Sequence, residues 1–156
     1  MHVNICCRDF QKSLHFYTEI LGATLHQTMD DAGYDVRPAM GVGDEYAYKY
    51  EACLLYWGEA RGGPYIDLLE WVEEDGVNTM PEPRPPLGPQ DLGLVRIALE
   101  VDNVDEWLAK LKSQGVPATT PQDIMVGPWP VKIVLIQDPD GTLIELVEFP
   151  NGYSRK

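Results

Sequence analysis

The sequence predicts an α+β fold made of two βαβββ modules in one chain. A strand, a polar turn, an amphipathic helix and a glycine occur in that order twice, in segments 2–22 and 96–115. Each half then closes in a similar alternating strand, Tyr65-Ile-Asp-Leu-Leu-Glu-Trp71 and Leu143-Ile-Glu-Leu-Val-Glu-Phe149. Between the halves runs Met80-Pro-Glu-Pro-Arg-Pro-Pro-Leu-Gly-Pro89. Proline at this density fits neither a helix nor a central strand, so the stretch is a connector.

The elements follow in order. His2-Val-Asn-Ile alternates as a strand does. Phe10, Leu14, Tyr17 and Leu21 recur at helical spacing, with Asp9 as N-cap and Gly22 in the left-handed position that ends a helix. Strands are predicted over Thr24–Met29, Ala52–Trp57 and Tyr65–Trp71. The first copy is longer than the second, and the Gly- and Tyr-rich stretch from Tyr34 to Tyr50 takes the extra length as a long loop or extended hairpin. In the second half Val104, Trp107, Leu108 and Leu111 form the helical stripe, capped by Asp102 or Asn103 and ended by Gly115. Strands are predicted at about Ala118–Gln122, Val131–Ile136 and Leu143–Phe149, with Asp138-Pro-Asp-Gly141 as the turn between the last two. The chain therefore reads as a single domain over 1–150, with modules of about 1–78 and 91–150, a connector over 79–90 and a tail over 151–156.

Charge excludes some functions. Lys and Arg number 12 against 25 Asp and Glu in 156 residues, a formal net charge of −13. Nucleic acid and anionic membrane surfaces both select a basic footprint, so neither is expected as a partner. No apolar run approaches the length of a transmembrane helix. The first residues, Met-His-Val-Asn-Ile-Cys-Cys, lack the pattern of a secretory signal. Adjacent Cys6 and Cys7 point to opposite faces of a strand and Cys53 stands alone, so no disulfide framework is expected and the setting is read as reduced and cytoplasmic.

Strand alternation places the candidate site. Val3 and Ile5 share a face that packs under a helix, which leaves His2 on the other. Ile97 and Leu99 do the same in the second copy, leaving Arg96. In the closing strands Ile66 and Leu68 oppose Asp67, and Ile144 and Leu146 oppose Glu145. If the sheets curve towards each other, His2, Asp67, Arg96 and Glu145 line one concave surface. Tyr34, Tyr46, Tyr48, Tyr50, Tyr56 and Trp57 are candidate pocket walls, with strand packing as the alternative for Tyr56 and Trp57. Trp129, between Pro128 and Pro130, is read as a lid residue or an exposed loop aromatic. His15 and His26 have no evident partners and read as surface or packing residues. Cys6 reads as a small apolar filler.

The elements His2-Val-Asn-Ile, Ser13-Leu-His-Phe-Tyr-Thr-Glu-Ile-Leu-Gly22 and Asp138-Pro-Asp-Gly-Thr-Leu-Ile-Glu-Leu146 resemble the vicinal oxygen chelate superfamily. That group includes glyoxalase I, bleomycin-resistance proteins and extradiol dioxygenases, and the resemblance spans nearly the whole chain. It implies a single glyoxalase-like domain whose paired modules form a curved-sheet cup around a divalent metal. It also implies ligands from the first and last strand of each module, and a homodimer. Carried over by position, the ligand places fall on His2, Asp67, Arg96 and Glu145. Arginine carries only donors and stays cationic, so Arg96 departs from the pattern, and His2, Asp67 and Glu145 remain as the possible metal ligands.

Two chemical versions stay open. In one, a divalent metal stabilises the oxyanion and a carboxylate moves the proton. In the other, no metal is involved and Arg96 takes its place, with Glu145 or Asp67 as base and His2 assisting. Both describe a lyase or isomerase acting beside a carbonyl or hydroxyl group of a small-molecule substrate. The alternative is a non-catalytic, resistance-type protein that sequesters its ligand. A metal-dependent dioxygenase is a weaker option, because the set lacks the two His and one carboxylate an iron oxygenase uses.

Overall fold

The repeat read from the sequence is also a repeat of hydrogen-bond register. In the computed structural model, residues 2–30, 37–41, 43–44, 49–58, 64–72 and 90–150 are described. The chain divides into two compact units, 1–82 and 83–156.

The first unit contains β1 (His2–Cys6), α1 (Phe10–His15), β2 (Thr24–Asp30), the short α2 (Arg37–Met40), β3 (Lys49–Tyr56) and β4 (Tyr65–Val72). The second contains β5 (Ile97–Glu100), α3 (Val104–Ser113), β6 (Gln122–Val126), β7 (Trp129–Gln137) and β8 (Leu143–Glu148). The sheet orders are β1-β4-β3-β2 and β5-β8-β7-β6, the same arrangement twice. In each, the first strand runs parallel to the last and the other pairings are antiparallel. Val3 pairs with Ile66 and Asn4 with Asp67; Ile97 pairs with Ile144 and Ala98 with Glu145. The α+β architecture of two βαβββ modules is thus present.

The helix starts are duplicated as well. Asp9 caps α1, its carboxylate accepting from the Lys12 amide, and Asn103 caps α3, accepting from Asp105 and Glu106. Of the two caps open for the second helix, the structure selects Asn103. Gly22 and Gly115 follow the two helices at φ +73° and +71°. From cap to glycine the first helix is one residue longer. The extra residue is absorbed where α1 widens into a π-helical turn over Phe16–Ile20, in which the Leu21 amide donates to the Phe16 carbonyl at 3.0 Å.

Each sheet keeps an apolar face for its helix. Ile5, Ile66, Leu68, Cys53 and Leu55 are buried on that face in the first unit, and Ile144, Leu146, Val134 and Ile136 in the second. Asp138 is buried in the turn before β8, where Oδ1 accepts from the Asp140 and Thr142 amides. Among the described residues no helix is long and apolar enough to cross a membrane.

Several expectations are corrected here. The strand expected at Ala118–Gln122 lies at Gln122–Val126, and Ala118 makes only an isolated bridge to Ile136. Trp129 is not a loop residue. It opens β7 and pairs with Val126 across a two-residue turn, in which Gly127 at φ +61° precedes Pro128. Pro130 is tolerated because β7 gains its β8 partner only from Lys132 onward. Arg96 directly precedes β5 rather than starting it. Of the stretch expected as a long loop, the described part holds α2 and the start of β3. Tyr34, Tyr46, Tyr48 and the connector over 79–89 lie outside the described residues.

Candidate functional site

Strand alternation turns one polar side chain of each closing strand away from the helix. In the second unit this is Glu145, set between Ala98 on β5 and Leu135 on β7. Arg96 reaches the same face, and its Nε lies 2.6 Å from Glu145 Oε2. The Glu145 side chain is 14% exposed and that of Arg96 43%. The carboxylate is therefore largely enclosed, and its charge is met by a guanidinium open to solvent on one side. A guanidinium carries five N–H donors, and the contact through Nε leaves the others for an anionic oxygen of a ligand.

The first unit is a variation on the same plan. Asp67 sits between Asn4 on β1 and Leu54 on β3. Its Oδ2 accepts from Asn4 Nδ2 at 3.2 Å and lies 4.0 Å from His2 Nε2. Its Oδ1 is buried and has no hydrogen-bond partner among the described residues. Burial holds the Asp67 carboxyl above the usual carboxylate range, with His2 pulling it back in part. Burial also raises the Cys6 thiol on this face, and it pushes Cys53 up to about 11. Both shifts disfavour the thiolate, the form a nucleophile needs, and Cys6 is exposed rather than packed as a filler.

The structure brings His2 together with Asp67, and Arg96 together with Glu145. Tyr56 packs edge-on against Tyr65 and His26 on the Asp67 face. Trp57 does something else: its indole Nε1 donates to the Leu21 carbonyl at 2.9 Å, and its ring meets buried Tyr17. That fixes the end of the first helix, so the packing alternative holds for Trp57. Trp129 is partly exposed at 38%. Asn4, Tyr65 and His26 were not picked out from the sequence. Alternation puts Asn4 on the face of His2, whereas nothing local marks His26.

One of the four places expected to hold a divalent ion departs from a metal-ligand set. Within either unit, no three of the described His, Cys, Asp or Glu side chains group as an ion would require. Arg96, at one of the four ligand places, offers no lone pair and already engages Glu145. Of the expected ligands His2, Asp67 and Glu145, the first two belong to the first unit and Glu145 to the second.

Residues 1–146 match the model of the Glyoxalase/Bleomycin resistance protein/Dioxygenase superfamily. The chain belongs to that superfamily. A lactoylglutathione lyase of Escherichia coli O157:H7 is 28% identical over 151 residues, which cover 95% of this chain and 90% of the relative. Among solved structures, a glyoxalase family protein from Bacillus cereus superposes with a TM-score of 0.72 at 20% identity, covering 94% of this chain and 91% of that one. TnmS3, an antibiotic binding protein from Streptomyces sp. CB03234, gives 0.54 at 20% identity, covering 94% and 92%. These structural likenesses establish the superfamily fold. Members acting as lyases and members that bind antibiotics share it, so function rests on the side chains.

Proposed function

We propose that the protein is a small-molecule lyase or isomerase that moves a proton beside a carbonyl or hydroxyl group, with Glu145 as base and Arg96 as the oxyanion-stabilising group. The observation that supports this reading is the Arg96–Glu145 contact on a face where the flanking strands supply Ala98 and Leu135. The name of the lactoylglutathione lyase relatives agrees with the lyase class.

The charge arithmetic favours the chemistry. Before reaction the cation of Arg96 is balanced by the Glu145 carboxylate. When Glu145 takes a proton from carbon, the C–H bond breaks, an O–H bond forms on Glu145, and the negative charge passes to the substrate oxygen. Arg96 then balances that oxygen instead. One cation serves both states, and no unpaired charge is created on a largely enclosed surface. An oriented donor of this kind is worth about 3–4 kcal/mol in the transition state. Return of the proton to the neighbouring carbon completes an isomerisation, and loss of a leaving group completes an elimination. His2 and Asp67 offer the first unit's own acid–base pair.

The test is exchange of carbon-bound hydrogen in D2O, followed by NMR, for α-hydroxy ketones, α-hydroxy thioesters and lactoylglutathione. Exchange with at least one compound, lost in Glu145→Gln, is the expected result. Ligand binding without exchange by the wild-type protein would overturn the reading in favour of sequestration.

A further inference from the structure

The first unit presents a constellation that proton transfer at Glu145 leaves unused. On the face away from α1, side chains lie in rows across the strands. His2 pairs with Tyr65, whose ring meets that of Tyr56, and Asn4, Asp67 and Leu54 form the next row. Thr24 pairs with Tyr56, so alternation puts His26 on the same face, just where the register between β2 and β3 slips between Leu25 and Gln27. Its ring lies 6.0 Å from that of Tyr56 and 5.3 Å from that of Tyr65, and the two tyrosine rings are 5.9 Å apart. Each of the three rings thus touches the other two. One row along, Asp67 keeps Oδ2 on Asn4, while Oδ1 is enclosed with no partner among the described residues.

A buried acceptor without a donor is costly, and among the described residues none donates to Oδ1, so the Asp67 carboxylate keeps acceptor capacity for a ligand. His2 does not fill it: its Nε2 is 4.0 Å from the other oxygen. A neutral hydroxyl would satisfy the lone pair and leave the charge unbalanced. A protonated amine satisfies both, and aromatic rings beside it add attraction through their negative faces. The net charge of −13 further enriches cations around the molecule. We propose that this corner of the first unit is a binding site for a protonated organic amine, whose N–H donates to the Asp67 carboxylate and whose apolar or aromatic body lies against Tyr56, Tyr65 and His26. The site rests on the first unit alone and does not require turnover at Arg96 and Glu145.

Isothermal titration of the full chain tests it, with 2-phenylethylammonium as probe and 2-phenylethanol as its neutral counterpart. The ammonium should bind about tenfold or more tightly than the alcohol, a preference that added salt reduces. Asp67→Asn should remove the preference and leave the alcohol's affinity unchanged. Tyr65→Leu should weaken both ligands, and it keeps the question answerable should Asp67→Asn fold poorly. Equal affinity for the two probes, no binding of either, or a preference that survives Asp67→Asn would overturn the proposal. Carbon-bound hydrogen exchange is not read in this titration, so failure here and failure of the proton-transfer reading are separate results.

Discussion

Glu148 Oε2 accepts the backbone N–H of Val104 at 2.8 Å, across 44 positions of sequence. The same device occurs in the first unit, where Glu70 Oε2 accepts the Phe10 amide at 2.7 Å. In both, a carboxylate of the closing strand meets the first residue of the helix. Those amides have no partner within the helix, and the helix dipole favours a negative charge there. The contact therefore ties the helix to the far strand of its own sheet and fixes which sheet face the helix covers. The other face is left for Asp67 or Glu145.

Removing that tie should cost stability in either unit. Glu148→Ala and Glu70→Ala are each expected to lose about 1–2 kcal/mol, the size of a lost N-terminal cap strengthened by charge. Urea unfolding followed by circular dichroism reads the loss. The first-unit variant should lose no less than the second, because α1 has only 6 residues before its π-helical turn, against 10 for α3.

Arg96 should resist conservative replacement. Arg96→Lys keeps the charge but replaces a planar fork with a point donor, which cannot hold Glu145 and a ligand oxygen in the same fixed geometry. Hydrogen exchange in D2O should fall about a hundredfold, the low end of what a positioned oxyanion donor contributes. Dialysis against a chelator should leave wild-type exchange unchanged, since Arg96 and Glu145 need no ion to balance each other. Retained exchange in Arg96→Lys, or exchange lost to the chelator, would return the site to metal chemistry.

Asp67 gives a pH signature. Burial raises its carboxyl in the fold, so the native state holds a proton that the unfolded chain has already released. Stability from this group therefore falls as pH climbs from the ordinary carboxylate value of 3.8 through the raised one. The attraction of His2 reduces the effect without reversing it. Asp67→Asn should remove the slope, gaining stability over the wild type at pH 7 compared with pH 3.5, as read from urea midpoints at both values.

Legibility followed the range of the cause. The duplicated strand–helix–Gly pattern, the Asp9 cap and the Asp138 turn are local, and the sequence states them outright, while it narrows the second cap to Asp102 or Asn103. The pairing of Arg96 with Glu145 was legible because alternation and the repeat both place them on one face. His26 was not, because its partners Tyr56 and Tyr65 are fixed by which strands pair and in what register, and no local pattern records that. Trp129 was misread because its flanking prolines suggest a loop. The Gly127-Pro128 turn makes them compatible with a hairpin, and one of them sits where β7 lacks its second neighbour. The role of Trp57 depended on a carbonyl 36 residues away, which no periodicity records.

Trp57 also separates packing from ligand binding. Its indole N–H satisfies the Leu21 carbonyl at the end of the helix, and its ring lies 6.4 Å from that of Tyr17, which is fully buried. Trp57→Phe keeps an aromatic ring but leaves the carbonyl without that donor. The expected cost is about 1 kcal/mol, a fall in Tm of about 2–4 °C for a chain of this size. Affinity for 2-phenylethylammonium should stay within error of the wild type, because the indole is committed to the helix end and not to the Asp67 face. A variant with an unchanged Tm and weakened ligand binding would show instead that Trp57 belongs to the pocket wall expected from the sequence.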